Sequence, residues 1–178
     1  MAFIVKKHEV SDYNFAEIIS KEFKVNDLSL IHKEKAELLP TEKLVFETET
    51  RTKFHELFYG KLKDWDLIKH KFDLFVRNEV SQYFSGDFVY QAFPSFRIQL
   101  PYEKAIHYWH YDNDKDHMHP EWEINFQIAI TDMSDANCIW IETVPGLKDF
   151  KPMILKYGEY SIFDGNRCTH GNKTNDTD

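Results

Sequence analysis

Ile106-His107-Tyr108-Trp109-His110-Tyr111-Asp112 is the stretch that decides how this chain folds. Aromatic and β-branched side chains suit a pleated strand. In a strand, residues two apart share a face. Tyr108, His110 and Asp112 are therefore predicted on one face, with His107 turned away from His110. A charge-rich segment from Asn113 to Glu121 follows at once and reads as a loop forming an open rim.

The same period of two recurs outward from there. Phe96-Arg97-Ile98-Gln99-Leu100 alternates until Pro101 stops it, with Arg97 and Gln99 on its polar face. Ile124 to Ile130 alternates again and sets Asn125, Gln127 and Ala129 opposite the isoleucines. Cys138 to Glu142 and Tyr160 to Phe163 read as further strands, with turns at Val144-Pro145-Gly146 and Tyr157-Gly158-Glu159. Before residue 90 the period is helical. From Lys53 to Phe84, Trp65, Ile68, Phe72, Phe75, Val76, Val80 and Phe84 mark one face. Gly60 and the Lys61 to Asp64 stretch are expected to split this run, Asp64 or Asp66 to cap the second helix, and Ser85-Gly86-Asp87 to end it. Short strands after a helical opening predict a mainly β fold with N-terminal helices, a jelly-roll or cupin-like barrel.

The chain has 178 residues, 42% hydrophobic and 29% charged, which suits one soluble domain with a single core. A formal charge of -8 argues against nucleic acid and anionic membranes as partners. No apolar run is long enough to span a membrane. Met1 to Lys7 is too short and polar for a signal peptide. With Cys138 and Cys168 as free thiols, a reducing cytoplasmic setting is expected.

His110 and Asp112, with His170 following a strand and the Gly165 turn, offer two imidazoles and a carboxylate to one metal. That set, with open positions left over, is the facial triad of non-haem Fe(II) chemistry. The pair alone means little, since 9 histidines supply on the order of one His-x-Asp by chance. Its place at a strand end, facing an open rim, gives it weight. The plainer alternative makes His110 and Asp112 a surface pair and His170 a loop residue. Zinc held by His107 with His110, or by His117 with His119, stays open. A Cys168–His170 nucleophile is disfavoured, because nothing nearby would lower the thiol pKa. The chain carries no glycine-rich phosphate loop and no Gly-x-Ser-x-Gly elbow.

Several segments in order carry a resemblance. Phe93-Pro94-Ser95-Phe96-Arg97-Ile98-Gln99-Leu100-Pro101 comes first, then Trp109-His110-Tyr111-Asp112 and Glu123-Ile124-Asn125-Phe126. Asn137-Cys138-Ile139-Trp140-Ile141-Glu142, Phe163-Asp164-Gly165 and His170-Gly171-Asn172 follow. Together they resemble the streptomycin-biosynthesis StrG-like family, itself similar to the phytanoyl-CoA-type Fe(II)/2-oxoglutarate oxygenases. The resemblance implies a single oxygenase domain over 1–178, with 1–90 as helical support and 91–178 as the core of a double-stranded β-helix. It implies Fe(II) on His110, Asp112 and His170, 2-oxoglutarate as cosubstrate, and hydroxylation of a small molecule.

One departure stands out. Such oxygenases hold the distal carboxylate of 2-oxoglutarate with an arginine in the last strand, after the second histidine. No arginine lies between His170 and Asp178, so the last C-terminal strand is expected to be missing. A bidentate clamp wants arginine. Arg97 is then a candidate, whereas Arg167 is expected to face solvent or an acidic neighbour. Gln99, Asn125 and Gln127 are candidates to hydrogen-bond the cosubstrate, or else fill a polar core. Two other classes remain: a non-redox cupin-like barrel binding a small ligand or sugar, and a metal-dependent isomerase or epimerase. Neither substrate identity nor oligomeric state has a signature in these residues.

Overall fold

The computed structural model describes residues 3–38, 53–62, 64–101 and 109–177. Ile106 to Tyr108 of the expected strand, His107 among them, lie outside the described residues. The described chain divides into two compact units. One takes in 8–38, 53–62 and 64–98, the other 3–7, 99–101 and 109–177.

The first unit is helical: α1 (Val10–Tyr13), α2 (Phe15–Phe23), α3 (Ile31–Glu34), α4 (Lys53–Leu62) and α5 (Asp66–Phe75). Asn14, at φ 51°, separates α1 from α2; asparagine tolerates this left-handed conformation better than most residues. The break between α4 and α5 falls after Leu62, so Gly60 is inside α4 rather than at the joint. Neither aspartate caps α5. Trp65 holds the N-cap position without a side-chain bond, and its carbonyl accepts from Lys69 N at 3.2 Å. Asp66 occupies the first turn, where a negative charge suits the helix dipole.

Past Phe75 the helix loosens into a π-type turn, Val76–Val80, and a 3-10 turn, Ser81–Tyr83, before Phe84 becomes extended. The apolar face read from the sequence is largely the buried one. Trp65, Ile68, Phe75, Val76 and Val80 are buried, while Phe84 is exposed and stacks on Phe88 with centroids 4.8 Å apart. Tyr13, Phe15 and Phe75 form the aromatic centre, the Tyr13 and Phe75 rings meeting edge to face at 5.2 Å. The Tyr13 hydroxyl donates to Glu79 Oε1 at 2.9 Å. Burial, and that acceptor, push the phenol up to about 12.

The second unit holds two small antiparallel sheets built from β1 (Phe3–Lys7), β2 (Asn125–Ile128), β3 (Ile139–Ile141), β4 (Lys151–Pro152), β5 (Glu159–Phe163) and β6 (His170–Asn172). Their orders are β1-β5-β2 and β4-β3-β6. The strand at the N-terminus departs from the expected helical opening. Phe3-Ile4-Val5 has strong strand propensity, and Phe3 and Asn125 both sit opposite Phe163 across β5. Phe96–Leu100 is not one of the strands formed among the described residues. Its alternation survives in part as burial: Phe96 and Ile98 are half-buried, Arg97 exposed and Leu100 buried. Gly146 (φ 80°) and Gly158 (φ 88°) make the expected turns, in a conformation that favours glycine.

Side chains from both sheets meet in one core. Ile141, Met153, Phe163 and Cys168 are buried together, with Phe3 and Ile139 against them. The buried Ser161 hydroxyl donates to Met153 Sδ at 2.7 Å. No helix among the described residues is long and apolar enough to cross a membrane.

Two outcomes follow from this packing. Ile141→Ala is expected to cost about 2–5 kcal/mol in urea denaturation, against about 0.5 kcal/mol for the exposed Ile154→Ala. Tyr13 keeps its proton in the folded state up to about 12, against an ordinary value of 10. Its contribution is therefore full below pH 10 and lost as pH rises toward 12. Tyr13→Phe should flatten that decline when stability is measured across the same range.

Candidate metal centre

His110 and His170 are joined through their backbones. His110 N donates to the His170 carbonyl at 3.1 Å, and His170 N returns the bond to the His110 carbonyl at 2.7 Å. Such a reciprocal antiparallel pair brings two residues to the same place on one face. β6 is at the same time zipped to β3, with Ile141 opposite His170 and Trp140 opposite Gly171. Trp109 lies over Gly171, where an added Cβ would meet Trp109 Cδ2 at 3.1 Å, and packs on Phe150 with centroids 4.3 Å apart.

Asp112 completes the set. Its backbone N donates to the Gly165 carbonyl at 2.8 Å, which turns its carboxylate toward the two rings. His110 Nε2 lies 3.6 Å and His170 Nε2 3.5 Å from the same oxygen, Asp112 Oδ1. The three residues offer ligand atoms that all fall within 4.8 Å of one another. Nitrogen and oxygen donors each about 2.1 Å from one ion sit about 3.0–3.5 Å apart, close to the 3.5 and 3.6 Å separations found here.

The donor chemistry fits a divalent cation. His170 Nδ1 contacts the Cys168 carbonyl at 3.1 Å. A carbonyl only accepts, so Nδ1 carries the proton and Nε2 presents its lone pair. Burial holds the His170 imidazole below its usual range despite the nearby Asp112 charge. Burial alone would raise the Asp112 carboxyl. Hydrogen bonding from His110, the charge of His170 and the Asn125 amide outweigh it and hold the carboxyl below its usual range. His170, biased toward its neutral form with Nε2 free of the proton, thus stands as a donor beside the buried Asp112 carboxylate.

Asn125 and Asp112 are brought together, Asn125 Nδ2 donating to Asp112 Oδ2 at 2.9 Å. Gln127, two residues along the same strand face, has Nε2 3.9 Å from Met133 Sδ, while its Oε1 is buried without a hydrogen-bond partner. Gln99 is held against the chain around β6: it donates to the Lys173 carbonyl at 2.6 Å and accepts from Asn172 Nδ2 at 3.4 Å. Arg97 belongs to the helical unit, where its guanidinium is 3.5 Å from the Phe96 carbonyl. Arg167 pairs with Asp164 through Nε at 2.7 Å and through Nη2.

The rim loop is more structured than its charge suggested. Asp114 accepts from His117 Nδ1 at 2.7 Å and from the backbone N of Asp116 and His117. Desolvation opposes ionisation there, yet these bonds pull its carboxyl down to about 2. The His117 ring stacks on His110 at 4.2 Å. The Asn166 amide donates to the Pro120 carbonyl and ties the loop to the Gly165 turn.

A second set, Asp112, His119 and Glu123, also gathers its ligand atoms within 4.8 Å. His119 Nδ1 is already engaged by Glu123 Oε1 at 3.0 Å, and both side chains are partly exposed, which makes this the weaker set. The His119–Glu123 pair and the stacking of His117 left no trace in the sequence pattern. The Phe163-Asp164-Gly165-Asn166 turn signal did mark the place where Gly165 acts. Cys168 is buried with its thiol pKa raised by that burial, which suits packing rather than nucleophilic attack.

No family model matches the chain. Over 132 residues the chain is 30% identical to a protein named Streptomycin biosynthesis protein StrG, from Streptomyces griseus. The match takes in 74% of this chain and 60% of that protein, so the chain spans less than two thirds of its relative's length.

Removing a ligand is expected to cost more than the roughly 10–100-fold in affinity lost with an outer partner. His110→Ala, Asp112→Ala and His170→Ala should each show this in Co(II) titration calorimetry. His119→Ala should leave the affinity near that of the wild type.

Proposed function

We propose that this chain is an Fe(II)- and 2-oxoglutarate-dependent dioxygenase that hydroxylates a small molecule. Its fold in this reading is a double-stranded β-helix of the jelly-roll kind, akin to the phytanoyl-CoA-type oxygenases. The observation that supports it most is the convergence of His110 Nε2 and His170 Nε2 on one oxygen of Asp112, at 3.6 and 3.5 Å. Two imidazoles and one carboxylate are the ligand set of such centres, which keep further positions open for cosubstrate and oxygen. The relative's name, that of a biosynthesis protein, agrees with work on a small metabolite.

The overall reaction in this reading is R–H + 2-oxoglutarate + O2 → R–OH + succinate + CO2. Bound Fe(II), together with the keto acid and oxygen, supplies the oxidising power to break a C–H bond. The protein's own part is positional. His110, Asp112 and His170 would hold the ion. The Cys168 carbonyl keeps the His170 proton on Nδ1, away from the ion. Burial of Asp112 and His170 limits water beside the ion. In this reading the Gln127 amide, whose Nε2 lies 3.9 Å from Met133 Sδ, is the donor offered to the cosubstrate.

A second reading, a non-redox cupin-like barrel for a small ligand, draws on one observation. Arg167, the arginine among the described residues of the β unit, is exposed and engaged by Asp164. Succinate separates the two readings. Anaerobic addition of Fe(II) and 2-oxoglutarate is expected to give a visible charge-transfer band that His110→Ala lacks. Admitting oxygen should then release succinate. Metal binding with neither band nor succinate would favour the second reading.

A further inference from the structure

We infer that Asn125 is a positioning residue of the metal centre: with Gly165 it fixes Asp112 as a one-oxygen ligand. The inference rests on the metal-binding reading of His110, Asp112 and His170.

Three hydrogen bonds close a circuit through three separate segments of the chain. Asp112 N donates to the Gly165 carbonyl at 2.8 Å. Gly165 N donates to Asn125 Oδ1 at 3.1 Å. Asn125 Nδ2 donates to Asp112 Oδ2 at 2.9 Å. Each member both gives and receives, so none can rotate without breaking two bonds. The amide has its oxygen on a backbone N–H and its nitrogen on a carboxylate, which fixes its orientation.

The consequence lies at the carboxylate. A free aspartate can bind a cation through either oxygen or both. Here Oδ2 is occupied by the Asn125 amide, and Oδ1 is the oxygen both imidazoles face. Asp112 is thus held to supply one ligand atom, so the carboxylate leaves a coordination position free that chelation would fill. Hydrogen-bonded outer partners of ligating carboxylates orient them and tune the metal in this way.

Gly165 is required here by space rather than by backbone conformation. Its φ is outside the left-handed region that favours glycine. A Cβ at this position would come within 2.7 Å of both Asn125 Oδ1 and Asp112 Oδ2, the two side-chain oxygens of the circuit. Any larger residue must push the amide and carboxylate apart.

The test uses Co(II) as the probe, because its affinity and visible spectrum report ligand number and geometry. Asn125→Asp keeps the shape and still accepts from Gly165 N, but it cannot donate as a carboxylate. Gly165→Ala disturbs the same bond from the other side and leaves Asn125 in place. Both are expected to bind Co(II) roughly 10–100-fold more weakly than the wild type, with an altered Co(II) spectrum. In the wild type itself, the Asn125 side-chain amide NMR signal is expected to shift when Zn(II) is added, a readout that needs no variant to fold. Wild-type affinity and spectrum in Asn125→Asp, or an unmoved amide signal beside a saturated centre, would overturn the inference and leave the centre standing. If the wild-type chain binds no Co(II), or His170→Ala binds it unchanged, the centre falls and the inference with it.

Discussion

The reciprocal backbone hydrogen bonds between His110 and His170 are the constraint from which the candidate centre follows. The two residues are sixty positions apart, and neither strand alignment nor side-chain chemistry alone would bring their rings together. Once the backbones exchange N–H and carbonyl, their side chains share a face, and the ring centroids lie 4.6 Å apart. β6 is held on its other side by β3, so the pairing is braced from both edges. Asp112, two residues beyond His110, follows because its own N–H reaches the Gly165 carbonyl.

Electrostatics explain how this arrangement could hold a cation. Asp112 is 6% exposed and His170 8% exposed. Burying a carboxylate is costly unless hydrogen bonds or an opposite charge offset it. The Asn125 amide offsets part of that cost, and the neutral His170 ring adds no full positive charge. A divalent ion between Asp112 and the two imidazoles would complete the compensation. The same reasoning separates this set from Asp112, His119 and Glu123, where His119 and Glu123 already pair with each other.

Much of the site was legible along the chain because a strand repeats every two residues. That period placed His110 with Asp112 and set Asn125 and Gln127 on one face of β2. The aromatic positions of α5 were legible for the corresponding reason at helical spacing. Other features were not. Phe3–Lys7 has strand-forming residues, yet its pairing with β5 depends on residues more than 150 positions away. Trp65 replaces the expected aspartate caps because the local chain path, rather than residue preference, set where α5 begins.

The sequence by itself determined the ligand types, the order in which they occur, and the face that His110 and Asp112 share. Those are local properties, fixed by side-chain chemistry and by the geometry of an extended backbone. Only the tertiary structure decided that His170 closes onto His110, that both rings face Oδ1 rather than Oδ2, and that Asn125 is bound to Asp112 and Gly165. Each of these depends on hydrogen bonds between segments distant in sequence. A one-dimensional pattern carries the donors and acceptors of such bonds but not their pairing.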